Sequence, residues 1–141
     1  GVGLLLKAAP DAKVNCLVDG QQIQQVFMNI IMNGIQATPD KGSVVVDVTN
    51  IHMKSMIHTD DQVRELLRID IRDEGEGIPE ENLKEIFTPF FTTKSVGLGT
   101  GLGLSIAREL LEEHGGWIEV RNRPTKGAEF TLYLQLEEGG Q

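Results

Sequence analysis

Four glycines fall at every second position in Gly97-Leu98-Gly99-Thr100-Gly101-Leu102-Gly103-Leu104, and helical spacing begins directly behind them. Glycine at that density weakens helix and strand alike, so the run is a loop, and Leu104 to His114 is the helix that follows it. Such a loop exposes successive backbone N–H groups beside the positive end of a helix dipole, an arrangement that holds phosphate. It is not a Walker loop, because no Gly-Lys-Ser/Thr closes it, and it does not sit in the βαβ unit of a dinucleotide fingerprint. The competing reading is flexibility alone.

The rest of the chain supplies strands and helices around that loop. Ala12 to Val18 alternates β-branched and apolar residues, as a strand does. Asp19 then caps a helix from about Gly20 to Ala37, with Ile23, Val26, Phe27, Ile30, Ile31 and Ile35 at helical spacing. Ser43 to Val48 is a strand, Lys54 to Val63 a polar connection, and Leu67 to Arg72 a further strand. Pro79 opens a short helix that reaches Ile86, with Glu80 and Glu81 in its first turn. Gly115-Gly116 stops the next helix, and Trp117 to Arg121 and Ala128 to Leu136 form a hairpin around Pro124-Thr125-Lys126-Gly127. About five strands and three helices in this order predict an α+β fold, a mixed sheet with helices on one face.

At 141 residues, 40% of them hydrophobic, the chain suits one domain with one core, expected over about residues 12–136. A formal net charge of −8 argues against nucleic acid or an anionic membrane surface as partner, since both require clustered Lys and Arg. Cys16 is alone, so no intrachain disulfide forms, and its apolar setting suits a small core residue. No apolar run approaches the roughly 20 residues of a membrane span, so the segment is expected not to insert in a bilayer and to reside in the cytoplasm. A Gly start and the tail Glu137-Glu138-Gly139-Gly140-Gln141 suggest a domain excised from a longer protein.

Three further patterns bear on chemistry. Gln22, Gln25, Asn29, Asn33 and Gln36 form a polar, uncharged stripe on the first helix; Asn29 and Asn33 are one turn apart on one face. Their amide oxygens suit Mg²⁺, which takes hard oxygen ligands and leans on substrate phosphates, but they also suit an ordinary exposed helix face. Asp73-Glu74-Gly75-Glu76-Gly77-Ile78 follows a strand directly. Its glycines admit a flat ligand and its strand-end carboxylate can accept from an exocyclic amine such as that of adenine; a plain acidic turn is the alternative. Phe87-Thr88-Pro89-Phe90-Phe91-Thr92-Thr93-Lys94 combines aromatic anchors with hydroxyls and a cation suited to phosphate.

In this order and spacing, the four segments resemble the N, G1, F and G2 boxes of the histidine-kinase catalytic domain, within the ATPase superfamily shared by topoisomerase B subunits, heat-shock chaperones and mismatch-repair ATPases. The resemblance covers roughly Asp19 to Leu136, and Thr92-Thr93-Lys94 with Gly99-Thr100-Gly101-Leu102-Gly103-Leu104-Ser105 is most similar to the nitrogen-regulation type. It implies a two-layer α/β sandwich that binds ATP with Mg²⁺. Asn33 would be the magnesium ligand and Asn29 would support metal and phosphates. Asp73 would read the adenine amino group, with Gly75 and Gly77 admitting the ring and Ile78 packing near it. Residues from about Phe87 to Gly101 would form a lid, with Thr93, Lys94, Thr100 and Leu102 among the nucleotide contacts and Gly99, Gly101 and Gly103 bordering the phosphates. The sequence departs from the pattern at Gly34, where the family usually has Ala, and at Thr88, where it commonly has an acidic residue.

The superfamily's hydrolysers carry a Glu one turn before the metal-binding Asn. Asn29 stands there and cannot act as a general base near neutral pH, which favours transfer over hydrolysis. The family's phosphoacceptor histidine is followed by an acidic residue, then by Asn or Thr before Pro. His52, His58 and His114 all lack that pattern, and His114 instead suits the negative end of a helix dipole. The resemblance therefore implies two partners outside the chain, a histidine-bearing dimerisation domain and a response regulator receiver domain. A serine-kinase anti-sigma factor or a degenerate nucleotide-sensing module of the same superfamily is the other reading of the same boxes.

Overall fold

Strand register accounts for most of the architecture. The computed structural model describes residues 1–54, 56, 59–91 and 103–137. Five strands, β1 (Gly3–Ala8), β2 (Ser43–Lys54), β3 (Val63–Arg72), β4 (Trp117–Asn122) and β5 (Ala128–Gln135), form one sheet in the order β1-β2-β3-β5-β4. β1 runs parallel to β2 and the other pairs are antiparallel, so the sheet is mixed, as the order of elements predicted.

Leu67, Ile69 and Ile71 of β3 and Phe130, Leu132 and Leu134 of β5 alternate onto one face. There they join Ile23, Val26 and Ile30 of helix α1 (Gly20–Ala37) and Ala107 and Leu111 of helix α2 (Gly103–Glu113) in one buried core. α1 starts where the sequence predicts. The Asp19 carboxylate accepts from the N–H groups of Gln21 and Gln22 at 3.0 and 3.1 Å, satisfying two donors of the first turn. Gly115 turns the chain away just beyond the end of α2, at a φ of +76° that a residue with a Cβ adopts only under strain.

Three expectations are corrected. Residues 12–18 are not a strand. Lys13 exchanges backbone-to-amide hydrogen bonds with Asn50, its Nζ pairs with Glu65 at 2.7 Å, and Asn15 accepts from the N–H of Glu137, so this stretch is tied down across the end of the sheet by scattered bonds. The edge strand is Gly3–Ala8 instead, although Leu4, Leu5 and Leu6 are all more than half exposed there. The helix expected from Pro79 to Ile86 is a single 3-10 turn, Glu80–Asn82, followed by turns, leaving two α-helices in place of about three among the described residues. Ile86 anchors these turns by inserting into the core, and Phe87 meets Phe130 edge-on at 6.3 Å.

The opposite face of the sheet is polar yet well packed. Glu129, 3% exposed, accepts from Nε of both Arg72 and Arg121, and Asp70 accepts from Thr131 and pairs with Arg68. Beyond these, Trp117 stacks on Tyr133 with centroids 4.6 Å apart over Leu66, and the indole N–H is buried with no partner among the described residues. Burial acts to raise the Glu129 carboxyl, but the hydrogen bonds and charges of Arg121 and Arg72 overcome it and hold the group below the ordinary range. Because the folded-state value is depressed, this pairing contributes full stability above the ordinary glutamate value of 4.5. The contribution fades below that pH and is lost once pH has fallen through the folded-state value. Glu129→Gln is expected to cost about 1–3 kcal/mol at pH 7. In urea unfolding followed from pH 7 downwards, the gap between parent and variant should narrow below pH 4.5.

Candidate functional site

The site forms at the end of the sheet where β3 finishes and β5 begins. Asp73, the residue after β3, is 3% exposed. Its Oδ1 accepts from the N–H of Gly75 at 2.9 Å and of Ala128 at 3.1 Å, while its own N–H donates to the Ala128 carbonyl at 3.0 Å. Both hydrogen bonds to the carboxylate from described residues end on Oδ1. Oδ2 is therefore the atom left for an incoming donor, as a reader of an exocyclic amine requires.

α1 runs alongside. A Cβ placed at Gly34 would lie 3.5 Å from Cβ of Asp73, and one placed at Gly75 would lie 2.6 Å from the Ala37 carbonyl oxygen, so the last turns of the helix pack directly on the 73–75 loop. Asn33 and Asn29, both half-buried, are on these turns and the one before. Asn29 reaches α2 through Nδ2, which donates to the Gly103 carbonyl at 3.1 Å. That bond fixes the amide plane and leaves Oδ1 for a metal or a phosphate-bound water.

Of the residues expected at the site, Asn29, Asn33, Asp73, Gly75, Gly77, Ile78 and Gly103 are brought to this one end of the sheet. Thr93, Lys94, Gly99, Thr100, Gly101 and Leu102 lie outside the described residues, as does His58. His114 follows α2, at the helix C-terminus where the sequence places it. Nδ1–H donates to the Leu110 carbonyl at 2.7 Å and Nε2 accepts from the N–H of Asp19 at 3.1 Å, so the ring joins the end of α2 to the cap of α1.

Several residues that shape the site carry no motif. Thr38 Oγ1 donates to the Gly34 carbonyl at 2.8 Å and accepts from the N–H of Glu74 at 3.2 Å, and Glu74 Oε1 accepts from the N–H of Ser43 at 2.7 Å. These bonds join the end of α1, the start of β2 and the acidic loop. Arg123 Nη1 donates to the Asp73 carbonyl at 2.8 Å, and Asn122 bonds Ile78. Gly127, at φ +87°, lets the β4–β5 turn close on the carboxylate, since a Cβ there would lie 2.0 Å from the Asp73 carbonyl oxygen. The available signal was positional: short polar side chains at the ends of elements, where loop and capping bonds form.

A family model described as "Histidine kinase-, DNA gyrase B-, and HSP90-like ATPase" matches residues 18–138. The chain belongs to this ATPase family. Among curated relatives, Sporulation kinase C of Bacillus subtilis is 37% identical over 124 residues, which are 86% of this chain and 26% of that protein. Sensor histidine kinase ZraS of Escherichia coli O157:H7 is 37% identical over 128 residues, 91% of this chain and 25% of the relative. The chain thus spans about a quarter of the length of these kinases. Among solved structures, the catalytic domain of histidine kinase ThkA superposes with a TM-score of 0.70 at 32% identity, covering 95% of this chain and 78% of that one. The mycobacterial sensor histidine kinase MprB gives a TM-score of 0.77 at 23% identity, covering 94% and 80% respectively, which shows the shared fold.

Within the family pattern Gly34 is the departure that the structure makes testable. A Cβ at this position would meet Val44 Cγ2 at 3.4 Å and Asp73 Cβ at 3.5 Å, ordinary contact distances, while glycine weakens the helix interior. Gly34→Ala is expected to raise stability by about 0.5–1 kcal/mol, measured by chemical denaturation. A destabilised variant would mean that Val44 and Asp73 cannot hold their places around the methyl group.

Proposed function

We propose that the chain is the ATP-binding catalytic domain of a sensor histidine kinase, and that it supports transfer of the ATP γ-phosphoryl group to a histidine on a separate dimerisation domain. The observation that carries this reading is the Asp73 carboxylate, buried at the sheet end with Oδ1 occupied by two backbone N–H groups and Oδ2 directed to no described donor. In this reading Oδ2 accepts from the adenine amino group, Gly75 and Gly77 admit the ring, and Ile78 walls it. The kinase names of the curated relatives support the reaction class. So does a further structural neighbour, ShkA, solved in complex with AMPPNP.

The amide donors of α1 fit a magnesium ion carried in with phosphates. Asn33 would hold it and Asn29 Oδ1 would support it, and the ion would neutralise phosphate charge when bound. No general base stands on α1 beside Asn33, so what these residues do is orient and neutralise, which suits transfer to an external nucleophile. Thr93, Lys94, Gly99, Thr100, Gly101, Leu102 and Gly103 complete the phosphate end in the same proposal. A receiver domain of a response regulator would then take the phosphoryl group from the histidine. No described helix is long and apolar enough to cross a membrane, and we place the domain in the cytoplasm, within a longer kinase.

Calorimetric titration with a non-hydrolysable ATP analogue, with and without Mg²⁺, tests the pocket. The parent chain should bind and Asp73→Asn should lose binding, because the amide presents a donor to the adenine amine in one orientation and disturbs two backbone bonds in the other. Asn33→Ala should lose the Mg²⁺ dependence while keeping metal-free binding. Mixing the chain with a histidine-bearing helical hairpin of a related kinase and labelled ATP separates the classes: a kinase labels the histidine, whereas a regulatory sensor leaves it unlabelled.

A further inference from the structure

The turn between β4 and β5 grips the acidic loop at both of its ends. Asn122, the last residue of β4, reaches Ile78, 44 positions earlier: its Oδ1 accepts from the Ile78 N–H at 2.7 Å, and its Nδ2 donates to the Ile78 carbonyl at 2.7 Å. Its neighbour Arg123 donates from Nη1 to the Asp73 carbonyl at 2.8 Å, and the Arg123 N–H is itself held by the Gly127 carbonyl at 2.8 Å. One dipeptide therefore fixes the first and last residues of the segment from Asp73 to Ile78.

The chemistry of the grip is selective. A carboxamide offers one donor and one acceptor on a rigid plane, matched to the N–H and C=O of one residue. A carboxylate of the same shape would keep the acceptor but set an oxygen against the Ile78 carbonyl, and a hydroxyl does not span both groups. Gly77 leaves no slack beside this contact, since a Cβ there would lie 2.8 Å from Asn122 Oδ1. Ile78 in turn packs against the main core, so its backbone is located by Asn122 on one side and its side chain by the sheet layer on the other.

We infer that Asn122 is a positioning residue that sets base selectivity: by fixing the Ile78 backbone it fixes the gap between the Ile78 wall and the Asp73 carboxylate, and with it the preference for adenine. This rests on the assignment of Asp73 as the adenine reader. The residue acts through Ile78 and touches no phosphate, so its loss should be felt by the base alone.

The test is competition binding of non-hydrolysable ATP and GTP analogues, and of inorganic triphosphate, to the parent chain, Asn122→Asp, Asn122→Ala and Asp73→Asn. The expected result is a loss of about tenfold in ATP-analogue affinity for both Asn122 variants, comparable to losing the net effect of one or two hydrogen bonds. Triphosphate and GTP-analogue binding should stay unchanged, so the ATP-to-GTP ratio falls. A purely structural role would lower affinity for all three ligands together, and that outcome overturns the proposal. An unchanged ratio in the Asn122 variants, with Asp73→Asn losing ATP-analogue binding in the same assay, overturns the role of Asn122 and leaves the adenine site standing. Failure of the parent chain to prefer adenine overturns both. Should neither Asn122 variant fold, hydrogen exchange on the parent decides. The Ile78 amide must be protected in the ligand-free chain, and exchange at the rate of an open loop overturns the grip.

Discussion

A buried carboxylate that spends one oxygen on two backbone N–H groups organises this end of the molecule. Asp73 follows β3 without an intervening residue, so its position is set by the register that pairs Arg72 with Glu129, and the next backbone group across, Ala128, completes the carboxylate's first oxygen. Gly75 supplies the second donor by curling the chain back over the side chain. The same residue thus ends a strand, starts a loop and orients its free oxygen, and none of these can change alone. α1 packs close on this loop through Gly34 and Ala37, which keeps the Asn33 turn and the carboxylate in fixed relation.

Elements with strong local chemistry were legible in the sequence. Asp19 and the periodic isoleucines placed α1, the Gly115 stop placed the end of α2, and the turn at Pro124 to Gly127 placed the terminal hairpin. Edge and extension were not. Leu4, Leu5 and Leu6 form a strand without alternation and largely exposed, held by backbone pairing to β2, which no pattern of burial announces. β2 runs on through Thr49, Asn50 and His52 because β3 pairs with each of them, a tertiary effect that overrides the polar composition of that stretch.

The site divides in the same way. Residues that would meet a ligand, Asn29, Asn33 and Asp73, stand in recognisable spacing, whereas those that hold the loops, Thr38, Glu74, Asn122 and Arg123, act through single side-chain-to-backbone bonds over long sequence separations. Such bonds leave no periodic trace. Asp70, Glu129 and Thr131 alternate with apolar residues along β3 and β5, and on their face of the sheet Arg68, Arg72 and Arg121 pair with the two carboxylates, so all three side chains are buried.

The chain carries one tryptophan and one tyrosine, and the fold stacks them on each other on the sheet face away from the helices. Its near-ultraviolet light absorption and emission therefore arise almost wholly from one dry, rigid contact between β4 and β5. That contact makes the protein's intrinsic fluorescence a gauge of whether the sheet is intact, with Tyr133 in the half of β5 away from Ala128, the residue that meets Asp73.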